Sequence, residues 1–118
     1  MPLTWITHQG RRILFNDLSG QRDQDAMLRQ VEEELKLASA EKQKILVLLD
    51  VTGAVLGADF MKQAKVLGAK IEPFIERQAV VGVDTLKAIL LTGFNLVIRK
   101  APLKPFADAA AAKAYLVG

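Results

Sequence analysis

The feature that most constrains the fold is a short apolar run, Ile-Leu-Val-Leu-Leu, between Lys44 and Asp50. Polar residues do not alternate with apolar ones in residues 44–50, and such a run is typical of a strand that is buried on both faces of a parallel sheet. Residues 79–83 form a second run of this kind. Because parallel strands must be joined by long crossover connections, the segments around these runs are expected to form helices.

Helical periodicity is present in those segments. Four helices are predicted, over residues 23–40, 58–70, 86–100 and 109–116. In the first, Met27, Val31 and Leu35 recur every four residues and mark the inner face, whereas the acidic triplet 32–34 is assigned to the flanks and the outer face. Pro73 cannot continue a helix without losing a hydrogen bond, so a break or kink is expected there.

The two ends of the chain supply the remaining strands. Residues 3–8 and 11–18 are rich in β-branched and aromatic residues and flank a Gln-Gly turn, a pattern typical of a hairpin. Pro105 places a last short strand, residues 103–106, at an edge of the sheet. The sequence therefore predicts one α/β domain over residues 1–118, with a mostly parallel, mixed sheet of about five strands, an N-terminal β-hairpin and about four helices.

Residue types alone exclude or disfavour several kinds of site. The chain has no cysteine, which excludes disulfides, thiolate catalysis and cysteine-type zinc sites. Its single histidine, His8, is expected to be an ordinary strand residue, and no metal or cofactor is predicted. An enzyme would need two carboxylates to pair closely, or one to acquire a strongly perturbed pKa, and the aspartates available for this are Asp17, Asp50, Asp59 and Asp84. No motif indicates such a pair, so the chain is predicted not to be an enzyme.

Charge and hydropathy narrow the range of partners. The net charge is +3, but Lys and Arg are interleaved with Asp and Glu and no aromatic residues accompany them, so no nucleic-acid partner is expected. No apolar run approaches the about 18 residues of a membrane-spanning helix. The first residues also lack the pattern of a signal peptide. We therefore expect no transmembrane segment and a cytoplasmic location.

Polar turns follow the predicted strands 44–50 and 79–83. Ligands of open α/β sheets bind beyond the carboxyl ends of the strands, so both turns can border one crevice. The residues concerned are Asp50, Thr52 and Gly53 in the first turn and Gly82, Asp84 and Thr85 in the second. Neither turn has a phosphate-binding glycine motif. Glycines that permit tight turns, beside polar residues that cap helices, explain the same pattern, and both interpretations stay open.

The predicted helix 86–100 is apolar nearly all round, with three polar residues interrupting the pattern before Arg99. Packing on a sheet covers only one side of a helix, so the other apolar residues need a neighbouring helix, a partner chain or an apolar ligand. We predict an interaction face that binds a protein partner, most simply a second copy in a homodimer. The residues of this predicted face are Leu90, Phe94, Val97 and Ile98, with Phe94 and Ile98 as the anchors.

Two alternatives for this helix stay open. It can be buried in the core of a monomer, or it can form one wall of a pocket for an apolar, lipid-like small molecule. A pocket lined by Phe, Met and Leu with few polar groups would favour the second alternative.

Several segments, taken in order, carry a resemblance to a known family. They are residues 6–15 (Ile-Thr-His-Gln-Gly-Arg-Arg-Ile-Leu-Phe), 17–20 (Asp-Leu-Ser-Gly), 45–53 (Ile-Leu-Val-Leu-Leu-Asp-Val-Thr-Gly), 77–82, 86–90 and the tail 105–116. Together they cover nearly the whole chain and resemble the SpoIIAA-like, or STAS/SEC14-type, family of small bacterial proteins. The resemblance implies a βα superhelix, no catalytic residues and binding of a partner protein. Through lipid-binding SEC14-type relatives it also implies an apolar ligand.

In the best-known members of that family, phosphorylation of a serine at a helix N-terminus switches binding to a kinase. The corresponding stretch here, residues 55–60, has no Ser or Thr, and Asp59 lies near the switch position at a helix start that favours negative charge. Thr52, beside Gly53, is the nearest hydroxyl, but it belongs to the strand exit. The resemblance therefore implies a regulatory or scaffolding module that lacks the phosphorylatable-serine switch.

Overall fold

Strands and helices alternate along the chain as the apolar runs predict. The computed structural model describes residues 3–118. The strands are β1 (Leu3–His8), β2 (Arg11–Asp17), β3 (Ile45–Asp50), β4 (Ile75–Val81) and β5 (Leu103–Phe106). The helices are α1 (Gln24–Ala40), α2 (Ala58–Ile71), α3 (Thr85–Val97) and α4 (Ala109–Val117), and a 3₁₀ turn (Glu72–Phe74) follows α2 at Pro73. The predicted domain, 1–118, also includes Met1 and Pro2, which lie outside the described residues.

The strands form one sheet in which neighbours in sequence are also neighbours in space, in the order β1-β2-β3-β4-β5. β1 and β2 are antiparallel, and the remaining neighbours are parallel. The hairpin turn uses Gln9 at φ 49° and Gly10 at φ 77°, the left-handed pair typical of a tight two-residue turn. Within residues 3–118, the predicted mixed sheet, hairpin and four helices are confirmed, and Pro105 lies in the edge strand β5 as predicted.

Two elements differ from the prediction by more than one residue at an end. β4 begins at Ile75 and ends at Val81, whereas the apolar pattern predicts 79–83, because the polar first half of the strand pairs with β3 through an irregular register. Gly82, at φ +85°, then turns the chain out of the strand. α3 ends at Val97 instead of residue 100. The backbone N–H groups of Lys100 and Ala101 donate hydrogen bonds to the Glu72 carboxylate.

Three helices cover one face of the sheet and one helix covers the other. Successive side chains of a strand point to opposite faces. In β3, Ile45 and Val47 pack on the side of α1 and α2, whereas Leu46 and Leu48 pack on the side of α4. α3 lies beside α2 on the first face. Because β3 is covered on both sides, its apolar run has no polar interruption.

Aspartates begin three of the helices, as their positions in the sequence predict. Each carboxylate accepts a hydrogen bond from the third following backbone N–H: Asp23 from Ala26 at 3.1 Å, Asp84 from Lys87 at 2.9 Å and Asp108 from Ala111 at 2.8 Å. Such caps satisfy donors that a helix cannot pair internally. Among residues 3–118, no helix has both the length and the hydropathy that crossing a membrane requires.

Candidate functional site

The turns beyond β3 and β4 pack directly against each other. A side chain at Gly82 would collide with the backbone and the hydroxyl of Thr52. Gly20, in the turn after β2, donates its backbone N–H to the Thr52 carbonyl at 2.8 Å. Gly53, at φ +69°, lies against Gly20. Thr52, Gly53 and Gly82 therefore belong to a contact between turns, which favours the turn interpretation of these residues, and the crevice stays a prediction.

The polar residues of these turns satisfy local backbone groups. Asp50 accepts a hydrogen bond from the Thr52 backbone N–H at 2.9 Å. Asp84 caps α3, and its second carboxylate oxygen lies 3.4 Å from Lys87 Nζ. The hydrogen bond from the Lys87 backbone N–H is the largest of the effects that lower the pKa of Asp84. Thr85 is exposed as the first residue of α3. The geometry fits a turn role for Asp50 and a cap role for Asp84, whereas Thr85 is not the cap.

The aspartates do not form a catalytic pair around the histidine. Asp17 and Asp50 are neighbours in the register of β2 and β3, but each accepts a hydrogen bond from a backbone N–H two residues further on. His8 lies half-buried at the other end of the hairpin, opposite Arg11. In the part of the chain that the structure describes, no group of three His, Asp or Glu side chains is placed to hold a metal ion.

The switch position, Asp59, is exposed, and hydrogen bonds hold the chain before it in place. Asp59 lies in the first turn of α2, exposed to solvent, as is Thr52. In the segment between these two residues, the Gly57 N–H donates a hydrogen bond to the side chain of Gln24 in α1, and the Val55 carbonyl accepts one from it, both at 2.7 Å. Sequence reasoning missed Gln24, because a lone glutamine does not indicate a partner so distant in sequence. A role for Asp59 beyond the helix start stays a prediction.

Most of the predicted interaction face on α3 is turned inward. Ile98 is fully buried, and Leu90 and Phe94 are half-buried. The ring of Phe94 lies over Gly68 of α2, where an added side-chain carbon would be 2.8 Å from Phe94 Cζ. Val97 alone among the four is largely exposed, at 48%. The prediction is corrected for a physical reason: α3 ends one residue before Ile98, and Gly68 leaves room for the Phe94 ring.

The exposed apolar residues of α3 form a different face, called here the outer arc. It consists of Leu86, Ile89, Leu96 and Val97, which are 68%, 67%, 65% and 48% exposed. At 3.6 residues per turn, these positions fall within about 100° of the helix circumference. The one charged residue of α3, Lys87, is buried and lies outside the arc. Exposed apolar residues that are grouped on one side of a helix mark an interaction site more often than scattered single residues do.

Beneath α3 lies an apolar cavity of about 90 Å³. Its walls come from the sheet and from all three helices of this face, and they include Val47, Val80, Met61, Ala64, Leu91 and Phe94. For comparison, an engineered cavity of about 150 Å³ with an apolar lining stays dry and binds benzene. Leu and Val side chains make up most of the walls, together with Phe60, Phe94 and Met61, and such a lining favours an apolar ligand.

Three polar side chains interrupt the apolar lining. They are Glu34 from α1, Gln78 from β4 and Lys87 from α3, and each is less than a tenth exposed. Gln78 donates its side-chain N–H to the Ala101 carbonyl at 2.7 Å. Lys87 reaches toward Asp84, which is exposed at the start of α3. A few polar groups in an otherwise apolar cavity are the usual means by which a small-molecule site fixes the orientation of its ligand.

Glu34 belongs to a buried chain of hydrogen bonds. Asn16 of β2 donates to Glu34 Oε1 at 2.9 Å, and Gln30 donates to Asn16 Oδ1 at 3.0 Å. Gln30 also donates to the Asp17 carbonyl at 2.8 Å. Burial raises the pKa of Glu34 to about 7, because the hydrogen bond from Asn16 offsets only part of the cost of desolvating the charge. Near neutral pH, the carboxyl is therefore a mixture of its neutral and charged forms.

The position of Glu34 corrects the prediction that the acidic triplet lies on the flanks and outer face of α1. Glu32 and Glu33 are exposed, but Glu34 is buried. The signal was present in the spacing: Glu34 lies seven residues after Met27 and four before Ala38, and both of these are fully buried. Residues at such spacings share one face of a helix, so the pattern places the third glutamate inside.

These observations define the class of fold. A five-stranded mixed sheet in sequential order, with four helices, is a SpoIIAA-like fold, so the resemblance is confirmed for the fold. The chain is similar to the crystal structure of an uncharacterized protein of the DUF3478 family from Shewanella loihica PV-4, with a TM-score of 0.73. The two chains are 21% identical, and the match covers 97% of this chain and 91% of that one. No family model matches the sequence, and no curated protein does.

Proposed function

We propose that the protein is a non-catalytic regulatory or scaffolding interaction module that binds a second copy of itself through the outer arc of α3. The observation that supports this proposal is the exposure of Leu86, Ile89, Leu96 and Val97 on one side of the helix. In a two-fold symmetric dimer, the same patch of each copy meets its counterpart. The four side chains of the outer arc carry no charge, and the nearest ammonium, that of Lys65 on α2, lies beside Gly93.

In this proposal, association is not switched by phosphorylation at the position that the SpoIIAA-like family uses. Residues 55–60 offer no hydroxyl, and Asp59 keeps a fixed negative charge in the first turn of α2. A fold alone does not determine a function, so this part of the proposal depends on the site residues and not on the fold.

Light scattering on a size-exclusion column tests the proposed dimer. The wild type is expected to have twice the mass of one chain, and Ile89→Glu is expected to be a folded monomer, as checked by circular dichroism. Val66→Glu is the matched control, because Val66 is 57% exposed on α2 and lies outside the outer arc. Phe94→Glu is a poor test, since that ring packs over Gly68. A monomeric wild type, or a monomeric Val66→Glu, would contradict the proposal.

A second candidate function, binding of an apolar small molecule, is favoured by the cavity beneath α3. Its volume of about 90 Å³ is below the about 300–1,000 Å³ of pockets that hold drug-sized ligands, so the ligand is smaller than a whole lipid. Mass spectrometry of the small molecules extracted from the purified protein tests this function. We expect one compound in a fixed ratio to protein, and the absence of any compound at that ratio would count against it.

A further inference from the structure

We propose that the cavity beneath α3 binds a small apolar molecule that bears one hydroxyl group, and that this hydroxyl donates its one hydrogen to the free side-chain oxygen of Glu34 or of Gln78. The proposal rests on the second candidate function. It adds the size of the ligand, its polar group and the residues that recognise it.

Two oxygen atoms in the lining have hydrogen-bonding capacity that residues 3–118 leave unused. The hydrogen bond from Asn16 goes to Glu34 Oε1, which leaves Oε2 without a partner. Gln78 is engaged through its side-chain nitrogen, which leaves its Oε1 free. Every side-chain nitrogen or oxygen that is fully sealed within the described residues has a partner. The two free oxygens therefore face space that a water-sized group can enter, and both residues line the cavity.

The chemistry of the lining selects a neutral ligand with a donor. Both free atoms are acceptors, so a hydroxyl complements them better than an ether or a ketone does. An ammonium ligand would enter a cavity that already contains the Lys87 side chain, and a carboxylate would meet the Glu34 carboxyl. The remaining walls are apolar, so the rest of the molecule must be apolar as well.

The volume limits the size of the ligand. A cavity of about 90 Å³ is smaller than the about 150 Å³ that accommodates benzene. A molecule of about five non-hydrogen atoms is therefore the largest that fits without movement of α3. A four-carbon alcohol has this size, and it serves as the probe in the experiment.

The experiment is a titration of the full chain with 1-butanol, followed by the NMR signals of side-chain methyl groups. Saturable shifts are expected for Met61, Val80 and Leu91. Methyl propyl ether is the matched control, because it has the same atoms but no hydroxyl donor. At pH 8 Glu34, whose pKa burial raises to about 7, is mostly ionised and only accepts. The ether is expected to bind about three- to tenfold more weakly, the difference that one hydrogen bond makes.

A matched pair of variants tests where the probe binds. Ala64→Leu adds side-chain carbons on the cavity wall and is expected to abolish saturable binding. Ala69→Leu makes the same change at an exposed position of the same helix and is expected to bind as the wild type does. If Ala64→Leu does not fold, Ala64→Val narrows the cavity with a smaller change of volume.

The outcomes separate this inference from the function on which it rests. Tighter binding of 1-butanol than of the ether, lost in the Ala64 variant, supports the proposal. Equal binding of the two probes overturns the assigned hydroxyl but leaves the apolar ligand site standing. Absence of saturable shifts with either probe overturns both, and persistence of the shifts in Ala64→Leu places the binding elsewhere and overturns the site.

Discussion

α1 and α3 lie on the same face of the sheet, but they bury and expose opposite kinds of residue. α1 exposes charged side chains and fully buries Met27 and Ala38, together with two hydrogen-bonded polar residues. α3 exposes the apolar outer arc, and Lys87 is the one residue of Thr85–Val97 that is buried. α1 therefore anchors the sheet, whereas half-buried side chains hold α3 over a cavity. Regions with few buried contacts are the ones that open most readily and from which binding elements are drawn.

The difference also explains where the cavity lies. Side chains of α1 are joined to β2 by the buried hydrogen bonds that link Gln30, Asn16 and Glu34. α3 meets the sheet through Leu91 and Phe94, which pack against the edge of the core, and through Asn95, whose side chain pairs with the backbone of Leu103 in β5. One loosely packed helix thus provides both an inner wall for a ligand and an outer surface for a partner.

The largest expected effect on stability comes from truncating one apolar residue in α1 and one in α3. Met27→Ala is expected to lower the free energy of unfolding by about 2–5 kcal/mol, because it leaves a cavity in a fully packed region. Leu91→Ala is expected to cost about 1–2 kcal/mol, since Leu91 is half-buried and already borders a cavity. Urea unfolding followed by circular dichroism measures both. Equal losses would mean that α3 is packed as firmly as α1.

The next largest effect is a dependence of stability on pH, and it comes from the buried carboxyl group of Glu34 in α1. The pKa of Glu34 is about 7 in the folded protein and returns to its ordinary value of 4.5 when the chain unfolds. Between these values, the folded state keeps a proton that the unfolded state loses, so stability is expected to fall as the pH rises from about 4.5 to 7. The expected slope approaches about 1.4 kcal/mol per pH unit, and it vanishes above the folded pKa.

Urea unfolding at several pH values measures this slope. Glu34→Gln is expected to flatten it, because the amide keeps an acceptor for Asn16 and does not titrate. Glu33→Gln, a neighbouring and exposed position, is expected to leave the slope in place. A slope that survives in Glu34→Gln would show that another group is its source.

Much of the fold is predictable because its causes are local in sequence. The unbroken run of β3 indicates burial on both sides, Pro105 indicates an edge strand, and aspartates such as Asp84 and Asp108 mark helix starts. Each of these signals acts within a few residues of the chain. For the same reason, the polar start of β4 was missed: its pairing with β3 depends on a strand that is distant in sequence.

The sites were harder to predict, because they depend on how elements meet. Periodicity indicates that α3 needs contacts on more than one side, but it does not say which apolar residues point inward. That choice depends on Gly68 of α2, which makes room for Phe94, and on the end of α3 before Ile98. Likewise, the contact between Thr52 and Gly82 joins two turns that are distant in sequence. Only Glu34 had a signal in the sequence, in its spacing from Met27 and Ala38.

The smallest expected effects on stability come from replacing two helix glycines, Gly68 of α2 and Gly93 of α3, by alanine. Alanine is favoured over glycine by up to about 1 kcal/mol in a helix interior. At Gly93 of α3, the nearest atom to an added side-chain carbon is Lys65 Nζ at 3.6 Å, the far end of a flexible side chain. Gly93→Ala is therefore expected to raise the free energy of unfolding by about 0.5–1 kcal/mol in urea unfolding. A loss of stability would contradict the open packing on this side of α3.

Gly68→Ala makes the same change where α3 rests on α2. An added carbon there lies 2.8 Å from Phe94 Cζ and 3.3 Å from Ile98 Cδ1, so either the ring or the helix must move. A firmly packed contact would lose about 1–3 kcal/mol to such overpacking. If α3 is as loosely held as the comparison with α1 indicates, the loss stays below about 1 kcal/mol, because the helix shifts and keeps the alanine gain. Hydrogen exchange of the α3 amides would then accelerate while that of the α1 amides stays unchanged, and faster exchange in both helices would show that they open as one unit.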